Sequence, residues 1–310
     1  MRIALIGQQD FGKAALEAFC KRGDQVAAVF CAPEKPDARP DPLRLAAEQQ
    51  GIAVHQLPSL KTAAAREVLQ NLDVQLGVMA YVLQFVPQDF VAIPRCGMIQ
   101  YHPSLLPRYR GPSSINWPII RGERRTGLTI FRPTDGLDEG PVILQKEIPI
   151  GADDTLASVY FERLFPMGVS ALLEAADLAA SGRAAGTPQD ESQASYEGWC
   201  RSAEAQINWH QHVDFVYNLI RGCNPAPGAW TRWQGRKLQI FEARKHLSRR
   251  FADVAGAVGT VTAVGGESIS IMAQGGQIEV LKLRYEDGKK IGAAQFANES
   301  GLSAGAALGA

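Results

Sequence analysis

The chain reads as an α/β protein: a mainly parallel sheet with helices on both faces, followed by a smaller, all-β module. Three observations predict this. Short apolar runs bounded by Gly or Pro alternate with helical patterns as far as Ser181, the stretch Gly182 to Tyr196 turns to linker composition, and beyond it short strand patterns recur between Gly-rich turns.

Residues 2–6 (Arg-Ile-Ala-Leu-Ile) form an apolar run closed by Gly7, and a helical pattern follows through Cys20, which is the opening of a β-α unit. A buried strand is predicted at Gln25 to Cys31. A proline-rich connection (Pro33, Pro36, Pro40, Pro42) leads to a helix through Gln50, a strand at Ile52 to Leu57 and a helix to Asn71. Strands at Val74 to Ala80 and Met98 to Tyr101 continue the alternation, which predicts a Rossmann-like sheet. Two further strands, Thr126 to Phe131 and Val142 to Glu147, flank the turn Pro133 to Pro141, and a long helix is expected from Thr155 to Ser181. After a short helix at His212 to Arg221, strands are expected at Lys237 to Phe241, Val258 to Val264, Ser268 to Ala273 and Gln277 to Leu283, a β-barrel-like (OB-like) pattern. The boundaries so read are a first domain at 1–185, a linker at 186–205, a β domain at 206–300 and a flexible tail, rich in Ala, Gly and Ser, at 301–310.

The composition, 46% apolar and 21% charged, is that of a folded globular protein. Lys plus Arg and Asp plus Glu each number 32, so no global field draws the chain to a phosphate backbone or an anionic membrane. That balance argues against a nucleic-acid partner. A local cluster, Arg236, Lys237, Arg244, Lys245, Arg249 and Arg250, reads as a solvated basic surface. The five cysteines are odd in number and never in a C-x-x-C pair, which points to reduced thiols. With neither a signal-peptide pattern nor an apolar stretch of membrane-spanning length, a cytoplasmic location is expected.

Sheets of this class bind ligands beyond the carboxyl ends of their strands. Gly7 and Gly12 make neither G-x-G-x-x-G nor a phosphate loop, so no nucleotide cofactor is indicated. The densest chemical signal is Gln100-Tyr-His102-Pro-Ser104-Leu-Leu-Pro-Arg108-Tyr-Arg110-Gly111, with Asp135-Gly136-Leu-Asp138-Glu-Gly140-Pro141 following. A lone His at a strand end is more often structural, and a Gly-flanked Asp is usually a turn former. Placement changes that balance, because both residues fall at the expected binding edge. A converging His and Asp can perform acyl chemistry, the carboxylate as proton acceptor or orienter and the imidazole as donor to a developing oxyanion. Ser104 lies two residues from His102 and outside any G-x-S-x-G elbow, which argues against a seryl nucleophile. Arg108 and Arg110 either anchor the loop, face solvent or meet an anionic part of a ligand. The histidines (His55, His102, His210, His212, His246) offer no metal-ligand spacing, and His210 with His212 borders a helix start.

The run H-P-S-L-L-P-R-Y-R-G, with L-D-E-G-P downstream and a 36-residue offset from His102 to Asp138, closely resembles the H-x-S-L-L-P-x-x-R-G and L-D-T-G signatures of the folate-dependent formyltransferase family. The likeness is strongest to the N-terminal hydrolase domains of 10-formyltetrahydrofolate dehydrogenases. It extends to R-I-A-L-I-G-Q at the start, S-x-I-N-W through Trp117, Y-E-G from Tyr196, I-N-W at Ile207 to Trp209 and P-G-A-W at Pro227 to Trp230.

The resemblance implies that His102 and Asp138 are catalytic, that 10-formyltetrahydrofolate is the formyl donor, and that Ala80, Tyr81, Val82, Leu83 and Gln84, with Ser104, Asp135 and Gly136, line its site. Core packing after a strand is the plain alternative for residues 80–84. The family usually carries Asn two residues before the His; here that residue is Gln100, and the similar hydrolase domains also lack the Asn. This favours water as acceptor, with transfer to an amine (an amino sugar, a small metabolite or methionyl-tRNA) as the alternative and a catalytically silent folate-binding protein as a rival. No metal is implied, and nicotinamide chemistry is not expected in a chain that ends at Ala310.

Overall fold

The computed structural model describes residues 1–248 and 257–309. In chain order its elements begin with β1 (Arg2–Gly7), α1 (Gln9–Arg22), β2 (Gln25–Cys31), α2 (Pro42–Gln49), β3 (Ala53–Gln56), α3 (Ala63–Asn71), β4 (Leu76–Ala80) and α4 (Gln88–Val91). There follow β5 (Met98–His102), α5 (Asn116–Ile120), β6 (Arg125–Phe131), β7 (Val142–Pro149), a π-helical turn (Ser158–Leu164) and α6 (Phe165–Ala180). The remainder is a 3₁₀ turn (Glu191–Gln193), α7 (Val213–Gly222), β8 (Ala229–Trp233), β9 (Arg236–Leu247), β10 (Val261–Gly265), β11 (Ser268–Ala273), β12 (Gly276–Tyr285), β13 (Ile291–Gly292) and α8 (Ala293–Ser300). Among the described residues no helix is long and apolar enough to cross a membrane.

The chain forms two compact units. One comprises Met1–Gly111, Gly127–Ile148 and Phe161–Tyr196; the other comprises Pro112–Thr126, Pro149–Tyr160 and Glu197–Ala310. The division is thus not a single cut: residues 112–126 and 149–160, read as part of the first domain, belong by their contacts to the second unit.

In the first unit a seven-strand sheet has the order β3-β2-β1-β4-β5-β6-β7. Strands β1 to β5 are mutually parallel and β6 runs antiparallel to β5. Both faces are covered, which is why β1 and β4 are near-continuous apolar runs instead of alternating ones. On one face Phe11 of α1 stacks on Tyr101 of β5 at 4.3 Å and meets Phe165 of α6 edge-on. On the other, Leu69, Phe90 and Val91 pack with Met79 and Met98. The strand order reverses between β1 and β4, the place where doubly wound sheets open a ligand crevice. Their ends approach closely there: a Cβ on Gly7 would lie 2.1 Å from the Ala80 carbonyl oxygen, so only Gly fits. The expected Rossmann-like architecture is therefore observed.

Local chemistry sets the element ends. Helix α1 stops at Gly23, whose φ of 94° is free of cost without a side chain. Pro42, grouped from sequence with the connecting prolines, instead opens α2, where Asp41 caps the helix by accepting the Leu43 N–H. The helix expected from about Thr155 starts at Leu156, passes through the π-helical stretch Ser158–Leu164 and continues as α6.

The second unit carries an antiparallel sheet of order β10-β11-β12-β9-β8, with β13 paired to β12. Val216 and Ile220 of α7 pack into a core with Trp209, Trp233, Ile240, Ile271 and Val280. His212 borders this helix as expected, its ring accepting the Asp214 N–H. The strand read at Val258 to Val264 starts at Val261. The tail read as flexible is instead docked: Leu302 and Leu308 are buried, the Leu308 N–H donates to the Gly259 carbonyl and the Gly309 N–H to that of Arg232. Arg249 and Arg250 of the basic cluster lie outside the described residues.

Candidate active site

His102 ends β5 and is 5% exposed. Side chains of a strand alternate between faces, so Gln100 and His102 share the face of Met98 while Tyr101 turns to Phe11. The loop that follows folds back on the ring: Tyr109, with φ 59°, presents its carbonyl oxygen 2.9 Å from His102 Nε2. A carbonyl only accepts, so Nε2 carries the hydrogen and Nδ1 is the nitrogen left for chemistry.

That nitrogen faces Asp138, whose Oδ2 lies 3.5 Å away. Asp138 arrives from the β6–β7 loop in a left-handed conformation, φ 56°, rare for a residue with a side chain. The loop is tight enough to demand Gly140, because a Cβ there would sit 1.6 Å from the Arg132 carbonyl oxygen. Gly111 N–H donates to Asp138 Oδ2 at 2.9 Å. Among the described residues nothing donates to Oδ1. The carboxylate is therefore held by one oxygen and open at the other.

Gln100 is partly buried, flanked by Met79 of β4 and Phe131 of β6, and its amide has no hydrogen-bond partner among the described residues. Three candidates are thus brought to one strand end and one loop.

The remaining candidates divide. Tyr81 (φ 63°) and Leu83 are exposed after β4, Val82 packs on the core, and Gln84 donates to the Leu57 and Pro58 carbonyls, which fixes the loop. Phe85, which sequence reading left out, is exposed beside Leu83 with Lys61 over its ring. Ala80 is fully buried against Gly7. Asp135 is exposed and accepts the Gln88 N–H, and Gly136 sits beside the Glu139 carboxylate in the same loop. Ser104 is fully buried, and its hydroxyl donates to the Arg108 carbonyl at 2.7 Å, so it braces the loop and does not line a ligand surface. Arg110 is likewise fully buried and cannot meet a ligand tail; it donates to Gln189 and Glu191. Its guanidinium donates to Glu191 and holds that carboxyl below the usual range.

Sequence reading missed the two backbone groups that orient the pair, the Tyr109 carbonyl and the Gly111 N–H, because neither depends on residue type alone. Among the described residues no cluster of three or more His, Cys, Asp or Glu side chains is placed to hold a metal.

The α/β unit thus presents a His–Asp pair at its strand ends, and the chain also carries an antiparallel β unit. Residues 1–175 match the family model described as formyl transferase, and residues 200–301 match the formyl transferase C-terminal domain. The chain belongs to the formyl transferase family. It is 38% identical over 307 residues to mitochondrial 10-formyltetrahydrofolate dehydrogenase of Mus musculus, covering 96% of this chain but 33% of that protein. It thus spans about a third of the length of the dehydrogenases it matches. It is 34% identical over 312 residues to methionyl-tRNA formyltransferase of Syntrophus aciditrophicus (strain SB), covering 99% of this chain and 98% of that one. The fold is shared with HypX from Aquifex aeolicus, solved in complex with tetrahydrofolic acid, at a TM-score of 0.66 and 19% identity, covering 96% of this chain and 47% of HypX.

Proposed function

We propose that this protein hydrolyses 10-formyltetrahydrofolate to tetrahydrofolate and formate. The observation that carries the reading is the Asp138 carboxylate, anchored through Oδ2 by Gly111 and open at Oδ1, 3.5 Å from the free nitrogen of His102. Water attacks the formyl carbon and yields a proton to Asp138. The new oxyanion is met by the unpartnered Gln100 amide and by His102 in its doubly protonated form, in which Nδ1 carries a second N–H while Nε2 keeps its bond to the Tyr109 carbonyl. Collapse breaks the bond to N10, which takes the proton back from Asp138, and formic acid leaves and ionises to formate in solvent. Preorganised donors of this kind are typically worth about 100 to 1000 fold in rate.

The donor assignment draws on the family, and on the naming of the dehydrogenase relatives for 10-formyltetrahydrofolate. Exposed Tyr81, Leu83 and Phe85 offer apolar faces for a flat pterin ring. Water is favoured as acceptor by Gln100 in place of the family's Asn and by a net charge of zero, which supplies no field for a tRNA. The second reading, transfer to an amine, is favoured by the end-to-end likeness to a methionyl-tRNA formyltransferase.

The test is direct. Purified protein is incubated with 10-formyltetrahydrofolate, tetrahydrofolate release is followed without any amine, and candidate amines are then added. Amine-independent release supports hydrolysis. No release, followed by rapid formylation of one amine, replaces it with the second reading.

A further inference from the structure

We infer that Gln189 is a positioning residue for Asp138, and that residues 187–196 are a strap which sets the geometry of the reacting carboxylate. Composition reads the whole of this segment as linker. The structure instead ties it to the site at both ends and, between them, through Gln189 and Glu191. Thr187 and Val142 exchange both backbone hydrogen bonds at the start of β7. At the other end Arg110 N–H donates to the Ser195 carbonyl, and the Ser195 hydroxyl accepts the Tyr109 N–H. Tyr109 is the residue whose carbonyl orients His102.

Between these ends lies Gln189. Its Nε2 donates to the Asp138 carbonyl at 2.8 Å and to the Gly140 carbonyl at 2.7 Å, so one amide bridges the two ends of the Asp138-Glu139-Gly140 turn. Its Oε1 accepts from Arg110 Nη2 at 2.8 Å and Nε at 3.2 Å. Arg110 is in turn locked by both oxygens of Glu191 and by the Tyr196 hydroxyl, which donates to Glu139. All four polar sites of the Gln189 amide that the turn and Arg110 can use are engaged.

The physical case is that Asp138 holds a left-handed backbone conformation, which costs a residue with a Cβ free energy, less for Asp than for most, that its surroundings offset. The offsetting groups are the Gln189 bridge on the backbone and Gly111 on the carboxylate. Removing the bridge frees the turn to relax, which swings the carboxylate from Gly111 and His102. Misplacement of a reacting group by about 1 Å costs up to about 100 fold in rate. The pterin loop at 80–84 makes no contact with Gln189 among its hydrogen bonds, so donor binding is expected to survive.

The inference rests on Asp138 as the proton acceptor, and the experiment separates the two. Gln189→Ala, Gln189→Glu and wild type are compared for kcat and KM with 10-formyltetrahydrofolate, and for exchange of the Gly111 amide hydrogen by NMR. Gln189→Glu keeps the size of the side chain and the pairing with Arg110 but replaces the donating NH2 by an oxygen. Both variants are expected to lose about 10 to 100 fold in kcat with KM within about twofold, and to speed Gly111 exchange at least about tenfold. A Gln189→Glu protein with wild-type kcat and Gly111 protection overturns the inference, as does a loss confined to KM. If wild type itself shows no turnover, the functional reading falls while Gly111 exchange still decides the strap.

Discussion

Asp138→Asn removes the proton acceptor while changing almost nothing else. The Asn amide oxygen takes the Oδ2 position and accepts the Gly111 N–H at 2.9 Å, and the NH2 takes the Oδ1 position toward the reacting centre. The side chain has the same shape and the residue is 9% exposed, so solvent does not replace the lost base. A positioned general base is worth about 100 to 10,000 fold, or about 3 to 5.5 kcal/mol of barrier. The upper part of that range is expected, because the neighbouring nitrogen of His102 is oriented by Tyr109 and lies 3.5 Å off, badly placed to take over the proton. The assay is tetrahydrofolate release at saturating donor, with circular dichroism and thermal unfolding as checks on the fold. KM is expected within about threefold of wild type, since nothing assigns the carboxylate to pterin binding. A folded Asp138→Asn protein within tenfold of wild-type kcat refutes the reasoning.

Other outcomes follow from the same geometry. Ser104→Ala leaves the Arg108 carbonyl without its buried donor and is expected to cost about 1 to 3 kcal/mol in unfolding free energy while kcat stays within a few fold; a loss as deep as that of Asp138→Asn restores a seryl nucleophile. Leu308→Ala is expected to destabilise the chain by about 2 to 5 kcal/mol by denaturant titration, whereas a free tail predicts no change. Glu34, Glu191 and Glu279 are held below the usual carboxylate range, chiefly by hydrogen bonds from Arg44, Arg110 and His246 respectively. Their contribution to stability is complete above the unfolded carboxylate value of about 4.3 and is lost as pH falls through their lower folded values. The thermal midpoint is therefore expected to hold from neutral pH to about 5 and to drop below about 4, and a steep loss already between pH 7 and 5 contradicts this.

Much of the fold was legible because both sheets leave local marks. Runs such as Ile3 to Ile6, closed by Gly7, and Val26 to Cys31, between Gly23 and Pro33, mark strands, and the strand ends they define put His102 and the Asp138 loop on one edge. What escaped depends on partners far away in sequence. Gln189 lies 79 residues from Arg110 and 51 from Asp138, and a stretch of Gln, Asp, Glu and Ser carries no periodicity to announce those bonds. Leu302 and Leu308, isolated among Ala, Gly and Ser, likewise look like tail residues until the pockets that receive them exist. Ser104 is a mixed case: the motif around it is dense in site residues, while its own hydroxyl serves the loop.

The identity of the acceptor is tested most directly by running the reaction in ¹⁸O-labelled water, with a mixture of candidate amines present, and weighing the formate and any formylated amine. Hydrolysis requires that the attacking oxygen come from solvent. The account predicts formate carrying at least one ¹⁸O, in amount equal to the tetrahydrofolate released and unchanged by the amines. Tetrahydrofolate released without labelled formate, matched by a formylated amine, contradicts it.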